Sequence, residues 1–125
     1  NMNTPFMFGL ALSSNYATTG LSVTMSFKKG DGTAARFTDV FVTPQITAGR
    51  TDTSKSVLYV DDKTSASWTS VSWAGVSAAK NNDFTFKFLG WKKDTAKAGM
   101  YTLETSVYDS KGSLIKTQTS NFVVQ

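Results

Sequence analysis

The feature that most constrains this chain is a two-residue period. Large apolar side chains alternate with smaller or polar ones in run after run. Phe6, Phe8, Leu10 and Leu12 share one parity; Leu21, Val23, Met25 and Phe27 alternate with Ser22, Thr24 and Ser26; Phe84, Phe86 and Phe88 alternate with Thr85 and Lys87. Successive side chains of an extended strand point to opposite faces, so each run buries one face and wets the other. Turn formers punctuate the runs at Ser13-Ser14-Asn15, Lys28-Lys29-Gly30-Asp31-Gly32, Asp61-Asp62-Lys63-Thr64 and Asp109-Ser110-Lys111-Gly112. Further strands are predicted at residues 37–42, 57–60, 68–76, 100–108 and 115–124. The third run should stop at Thr43-Pro44, because proline has no amide to give to a ladder. Residues 45–56 read as a polar connection, and 78–83 as a loop or a single helical turn. The pattern predicts an all-β, antiparallel sandwich of seven or eight strands, with a barrel or jelly roll as the competing architecture.

At 125 residues the chain is long enough to bury a core unaided and too short for two ordinary domains, so a single domain over 1–125 is expected. Nine Phe residues supply much of that core. Parity assigns Phe8, Leu10, Val23, Met25, Val40, Val57, Trp73, Phe86, Leu103, Val107 and Phe122 to it. No run reaches the length of a membrane-spanning helix. Because the chain opens on Asn1 rather than Met, it is expected to be a trimmed piece, with any signal or membrane anchor lying ahead of it. Membrane contact is then expected only through such a segment.

The stretch Ala98-Gly99-Met100-Tyr101-Thr102-Leu103 resembles the tyrosine corner of immunoglobulin-like domains. There a Gly-x-Tyr unit opens the penultimate strand, and the tyrosine hydroxyl bonds back to backbone upstream. Residues 104–124, with their Tyr108-Asp109-Ser110-Lys111-Gly112 turn and closing Phe122-Val123-Val124, are similar to the last hairpin of bacterial immunoglobulin-like surface domains. The resemblance implies an immunoglobulin-like sandwich and an extracellular or cell-surface setting. Leu103 stands where antibody domains carry a cysteine, and the Cys, Trp and Cys framework of those domains is missing. Such sandwiches host adhesion, sugar binding and structural assembly alike, so the resemblance informs fold more than function.

The chain has no His and no Cys. Serine and cysteine triads, an imidazole base and the common transition-metal sites are thereby excluded. The nine carboxylates lie mostly in turn-like contexts, so no catalytic residue, metal or cofactor is expected. Asp61-Asp62 and Asn81-Asn82-Asp83 carry oxygens that suit calcium but lack a ligand-loop spacing, and ordinary turns explain them. What remains is binding. Trp68, Trp73 and Trp91, with Tyr16, Tyr59 and Tyr108, are the residues from which a stacking platform could be made. Trp68, Trp91 and Tyr108 are the candidates chosen from them: Trp68 lies on the parity opposite Trp73, Trp91 reads as loop-mounted between Gly90 and Lys92-Lys93, and Tyr108 should be exposed. Lys92 and Lys93, with Lys87 and Lys97 near them, make this the region where positive charge and an aromatic coincide. With a net charge of +4 carried mainly by lysine, an acidic partner fits better than base-reading of nucleic acid, which is disfavoured.

The expected function is a non-catalytic interaction module of an extracytoplasmic protein, with a protein or polysaccharide of the cell envelope as partner. A carbohydrate-binding module using exposed Trp and Tyr is the alternative. A structural subunit, homo-oligomeric through its N-terminal strand, is the third reading.

Overall fold

The computed structural model describes residues 5–12, 22–50, 55–68, 84–109 and 111–125. Among them run eight strands: β1 Phe6–Leu12, β2 Ser22–Lys29, β3 Phe41–Arg50, β4 Lys55–Tyr59, β5 Ser65–Trp68, β6 Phe84–Lys92, β7 Gly99–Tyr108 and β8 Leu114–Val124. One helical turn, α1 Phe37–Val40, precedes β3. The strands form two antiparallel sheets, ordered β1-β6-β3-β4 and β5-β2-β7-β8. Alternation built these elements as the sequence implies. On β2, Val23, Met25 and Phe27 are buried while Ser22, Thr24 and Ser26 are half-buried; on β7, Tyr101, Leu103, Thr105 and Val107 are buried in turn.

The sheets face each other across a core dominated by rings. Phe27 of the second sheet lies 5.6 Å from Phe41 of the first, and Phe122 lies 5.1 Å from Phe8. Phe122 also meets Phe6, Phe41 and Tyr101. Offset and tilted ring pairs of this kind add about 0.5–1.5 kcal/mol each beyond the area they bury. Phe8 and Phe122 are half-buried and pack on the core's flank rather than at its centre. Leu10, Val23, Met25, Val40, Phe86, Leu103 and Val107 are buried as expected. Trp73 lies outside the described residues, as does most of the strand predicted over 68–76.

Two features of the first sheet depart from the sequence reading. Residues 37–42 are not one strand. Phe37 and Val40, three apart, are both fully buried by a helical turn, which Asp39 closes by accepting the Arg36 amide at 3.0 Å. The chain then continues through Thr43-Pro44 into β3 up to Arg50, so most of the expected connection is strand. A register shift between Val42 and Gln45 accommodates the proline, with Thr43 at φ 52°. A bulge is a place where a missing amide donor costs no ladder bond. The Pro44 carbonyl is still used, accepting the Val60 amide at 3.1 Å.

Val57 is the second correction. It is 49% exposed, whereas Val60 is completely buried and Leu58 packs against the core. The run Val57-Leu58-Tyr59-Val60 is apolar at both parities, and the pairing of Leu58 with buried Ile46 turns the other parity outward.

Candidate functional site

The outer face of the first sheet is set by the inner one. Phe86, Phe88 and Gly90 of β6 point into the core, so Lys87, Leu89 and Trp91 point away from it. Pairing then assembles rows across four strands. Met7 lies opposite Leu89, Leu89 opposite Gln45, and Gln45 opposite Tyr59, a row about 14 Å long at ordinary strand spacing. The neighbouring row runs Gly9, Lys87, Thr47, Val57, and beyond the bulge Trp91 pairs with Val42. Met7 and Tyr59 are each more than half exposed, at 56% and 59%, and Val42 and Val57 are exposed beside them. Leu89 and Trp91 are half-buried. An outer sheet face normally alternates polar residues with few large side chains. This one carries an interrupted stripe of two apolar and aromatic groups, Met7, Leu89, Trp91 and Val42 on one side and Val57 with Tyr59 on the other, separated by Gln45 and Thr47.

The outer face of the second sheet is different in kind. Thr24, Ser26, Ser65, Ser67, Thr102, Glu104, Ser106, Thr117 and Thr119 make it a hydroxyl surface, knitted by bonds such as Ser106 to Thr117 at 3.0 Å. Among the described residues its large apolar side chains sit at the ends, where Met100 pairs with Val123 and Tyr108 with Leu114.

A polar cleft opens at the end of the sandwich where β2 and β6 finish and β7 begins. It encloses about 340 Å³ between Lys29, Thr38, Asp39, Lys93, Thr95, Lys97 and Tyr101. A second cleft of about 310 Å³ adjoins it, sharing Lys29, Lys97 and Tyr101 and extending over Gly30, Asp31, Ala98, Gly99 and Met100. Tyr101, 5% exposed, donates its hydroxyl to the Lys97 carbonyl at 3.0 Å. Asp31 lies at the rim with its carboxyl held below the usual value, first by the Thr33 hydroxyl at 2.7 Å, then by the Thr33 amide, and further by the charge of Lys29.

The structure separates residues that the sequence places together. Trp91 is not loop-mounted: Gly90 does not end the strand, because its lack of a side chain makes room for the Phe41 ring, and β6 runs on to Lys92. Trp91 therefore belongs to the stripe on the first sheet, while half-buried Lys93 lines the end cleft. Half-buried Lys92 lies opposite Phe41 on the parity away from Trp91 and lines neither cleft. Tyr108, expected exposed, is half-buried at the far end of β7, where it pairs with Ser22 and Leu114. Trp68 ends β5 opposite Val23, and its side chain lies outside the described residues. Asp62 pairs with Arg36 at 3.2 Å in an exposed turn; Asn81-Asn82-Asp83 lies outside the described residues. Among the described residues no group of acidic side chains converges as a metal site would require, and no helix is long and apolar enough to cross a membrane.

Sequence reasoning missed Met7, Val42 and Val57 as surface residues, whereas Tyr59 was among the aromatics it offered for stacking. Their parity relative to Phe6, Ile46 and Val60 carried the signal, but apolar character at both parities concealed it. The architecture is that of an all-β sandwich with two antiparallel four-stranded sheets. Compared with known proteins, the chain has no significant match to any family model, curated protein or solved structure.

Proposed function

We propose that this chain is a non-catalytic interaction module, an immunoglobulin-like domain of an extracytoplasmic or cell-surface protein, that docks another surface protein on the outer face of its first sheet. The observation that carries the reading is the stripe of Met7, Leu89, Tyr59, Val42 and Trp91, with Val57 beside it. Aromatic residues and methionine are enriched in protein interfaces, and apolar side chains gathered on an exposed sheet face mark an interaction surface. The aliphatic share of the stripe favours a protein over a sugar, since a sugar platform relies on flat rings flanked by polar groups.

Strand order supports the immunoglobulin-like part of the reading. In such domains the strands B, E and D are neighbours in one sheet and G, F and C in the other. β1-β6-β3 and β8-β7-β2 reproduce those neighbours with the chain order preserved, β4 and β5 being extra strands at the sheet edges. Tyr101 then opens strand F two residues before buried Leu103, with its hydroxyl bonded upstream. The surface setting rests on the likeness of the closing hairpin to bacterial surface domains.

The test compares the wild-type chain with the triple variant Met7→Ser/Val42→Ser/Tyr59→Ser as bait against isolated surface proteins. The variant should lose the partner by about tenfold or more in affinity, as truncation of interface anchors does, with its melting temperature nearly unchanged. Equal capture by both baits would refute the docking face. Saturable binding to a glycan panel with quenching of tryptophan fluorescence would replace the protein partner by a polysaccharide, and concentration-dependent light scattering would replace it by a second copy.

A further inference from the structure

We propose that the end cleft between α1, the end of β2 and the start of β7 binds a phosphoryl group, and that the adjoining cleft takes the uncharged body of the same small molecule, a sugar or polyol phosphate. This site is separate from the docking face: Lys29, Lys93 and Lys97 line one cavity together with Thr38 and Thr95. The residues come from four places in the chain and are gathered only by the pairing of β2 with β7 and of β3 with β6.

Charge in the cleft is left over. None of the three lysines is in an ion pair with a described carboxylate. The carboxylate in the lining, Asp39, accepts the Arg36 amide through Oδ2, and Asp31 at the rim is engaged by Thr33. Counting Lys29, Lys93 and Lys97 against Asp39, and against Asp31, whose carboxyl feels the charge of Lys29, still leaves the two adjoining clefts with a surplus of positive charge. Such a concave surplus focuses potential on an anion.

The backbone that carries these lysines is held in place before any ligand arrives. The Lys29 amide donates to the Thr33 carbonyl at 2.8 Å, the Lys93 amide to the Val40 carbonyl at 2.7 Å, and the Lys97 carbonyl accepts the Tyr101 hydroxyl at 3.0 Å. The amide of Gly30, next to Lys29, donates to the Met100 carbonyl at 2.8 Å and ties together two residues that line the adjoining cleft. Only the lysine side chains remain to be ordered, which lowers the cost of binding.

The donor set selects the ligand class. The ammonium and hydroxyl donors that lysine and threonine carry match the acceptor-only oxygens of a phosphoryl group, whereas a planar carboxylate is matched by the fork of an arginine, and among the described residues no arginine lines the cleft. The size, about 340 Å³, is that of a small-molecule site. The neighbouring cleft adds the Asp31 carboxylate, which disfavours a second anionic group there, and the small or apolar residues Gly30, Ala98, Gly99 and Met100, which suit a compact uncharged body.

The test is an amide-resolved NMR titration of the full chain with inorganic phosphate, glycerol 3-phosphate and acetate, and a binding assay on phosphatidylglycerol and phosphatidylcholine vesicles. Glycerol 3-phosphate should shift Thr38, Lys93 and Thr95 saturably, and should shift Gly99 and Met100 as inorganic phosphate does not. Lys29→Gln and Lys93→Gln should each weaken binding by about tenfold, the loss of one charge-assisted contact. Lys87→Gln and Lys111→Gln, equal losses of charge elsewhere, should leave it unchanged, as should Tyr59→Ser. Vesicle binding with the same lysine dependence, and no response to the soluble ester, would place the phosphoryl group on a lipid. Unsaturable shifts in every arm, acetate equal to phosphate, or control variants as damaging as cleft variants would each overturn the proposal.

Discussion

Replacing Tyr101 by Phe isolates one hydrogen bond, because it removes the hydroxyl and keeps the ring. The ring stacks on Phe27 at 5.4 Å and 5° and lies 5.8 Å from Phe122, and those contacts survive the change. What is lost is the 3.0 Å bond from the hydroxyl to the Lys97 carbonyl. An intramolecular bond of this kind contributes about 0.5–1.5 kcal/mol net, and an acceptor left without a partner costs about 1–3 kcal/mol. Lys97 is exposed while Tyr101 is 5% exposed, so water recovers part of the acceptor's loss. The expected destabilisation is therefore about 1–2 kcal/mol, a fall in Tm of about 4–8 °C for a domain of this size. Urea denaturation followed by tryptophan fluorescence measures it, with the m-value unchanged because the exposed surface is the same. Tyr101→Ala removes the stack as well and should cost about 3–5 kcal/mol. A Tyr101→Phe protein within about 0.3 kcal/mol of wild type, well under one net hydrogen bond, would refute the corner as a structural tie. A loss equal to that of Tyr101→Ala would refute the separation of bond from ring.

Gly90→Ala should destabilise the chain by about 1–3 kcal/mol, since its Cβ would fall 2.9 Å from Cγ of Phe41, a ring that is 1% exposed and hemmed in by Phe6, Phe27, Phe88 and Phe122. Gly9→Ala, whose Cβ meets nothing nearer than 3.8 Å, should leave Tm unchanged or raised; equal effects in thermal unfolding would contradict the close approach at Gly90. Asp31 gives the pH dependence: its folded pKa is depressed below the ordinary 3.8, chiefly by the Thr33 hydroxyl, so the stability it contributes is present above that value and fades as pH falls through the folded pKa. Thr33→Ala should raise the Asp31 titration midpoint seen by NMR, and an unmoved midpoint would show that the hydroxyl is not the cause.

The alternation of Phe6–Leu12, 22–27, 84–88 and 100–108 was enough to establish an all-β chain, because a period of two is a local property of consecutive side chains. The tyrosine corner was legible for the same reason, as Gly99, Tyr101 and Leu103 lie within five residues of one another. Local pattern did not decide between strand and helical turn at residues 37–42, where burying Phe37 and Val40 together required the turn. Nor did it decide which parity of Val57-Leu58-Tyr59-Val60 faces inward, since both are apolar and the choice falls to Ile46 on the neighbouring strand. The tertiary structure alone brought Met7 and Leu89 into one row with Tyr59, and Lys29 into one cleft with Lys93 and Lys97. Those residues are far apart in the chain, and the pairings that join them are non-local, selected by how two whole sheets bury their rings and not by any residue's immediate neighbours.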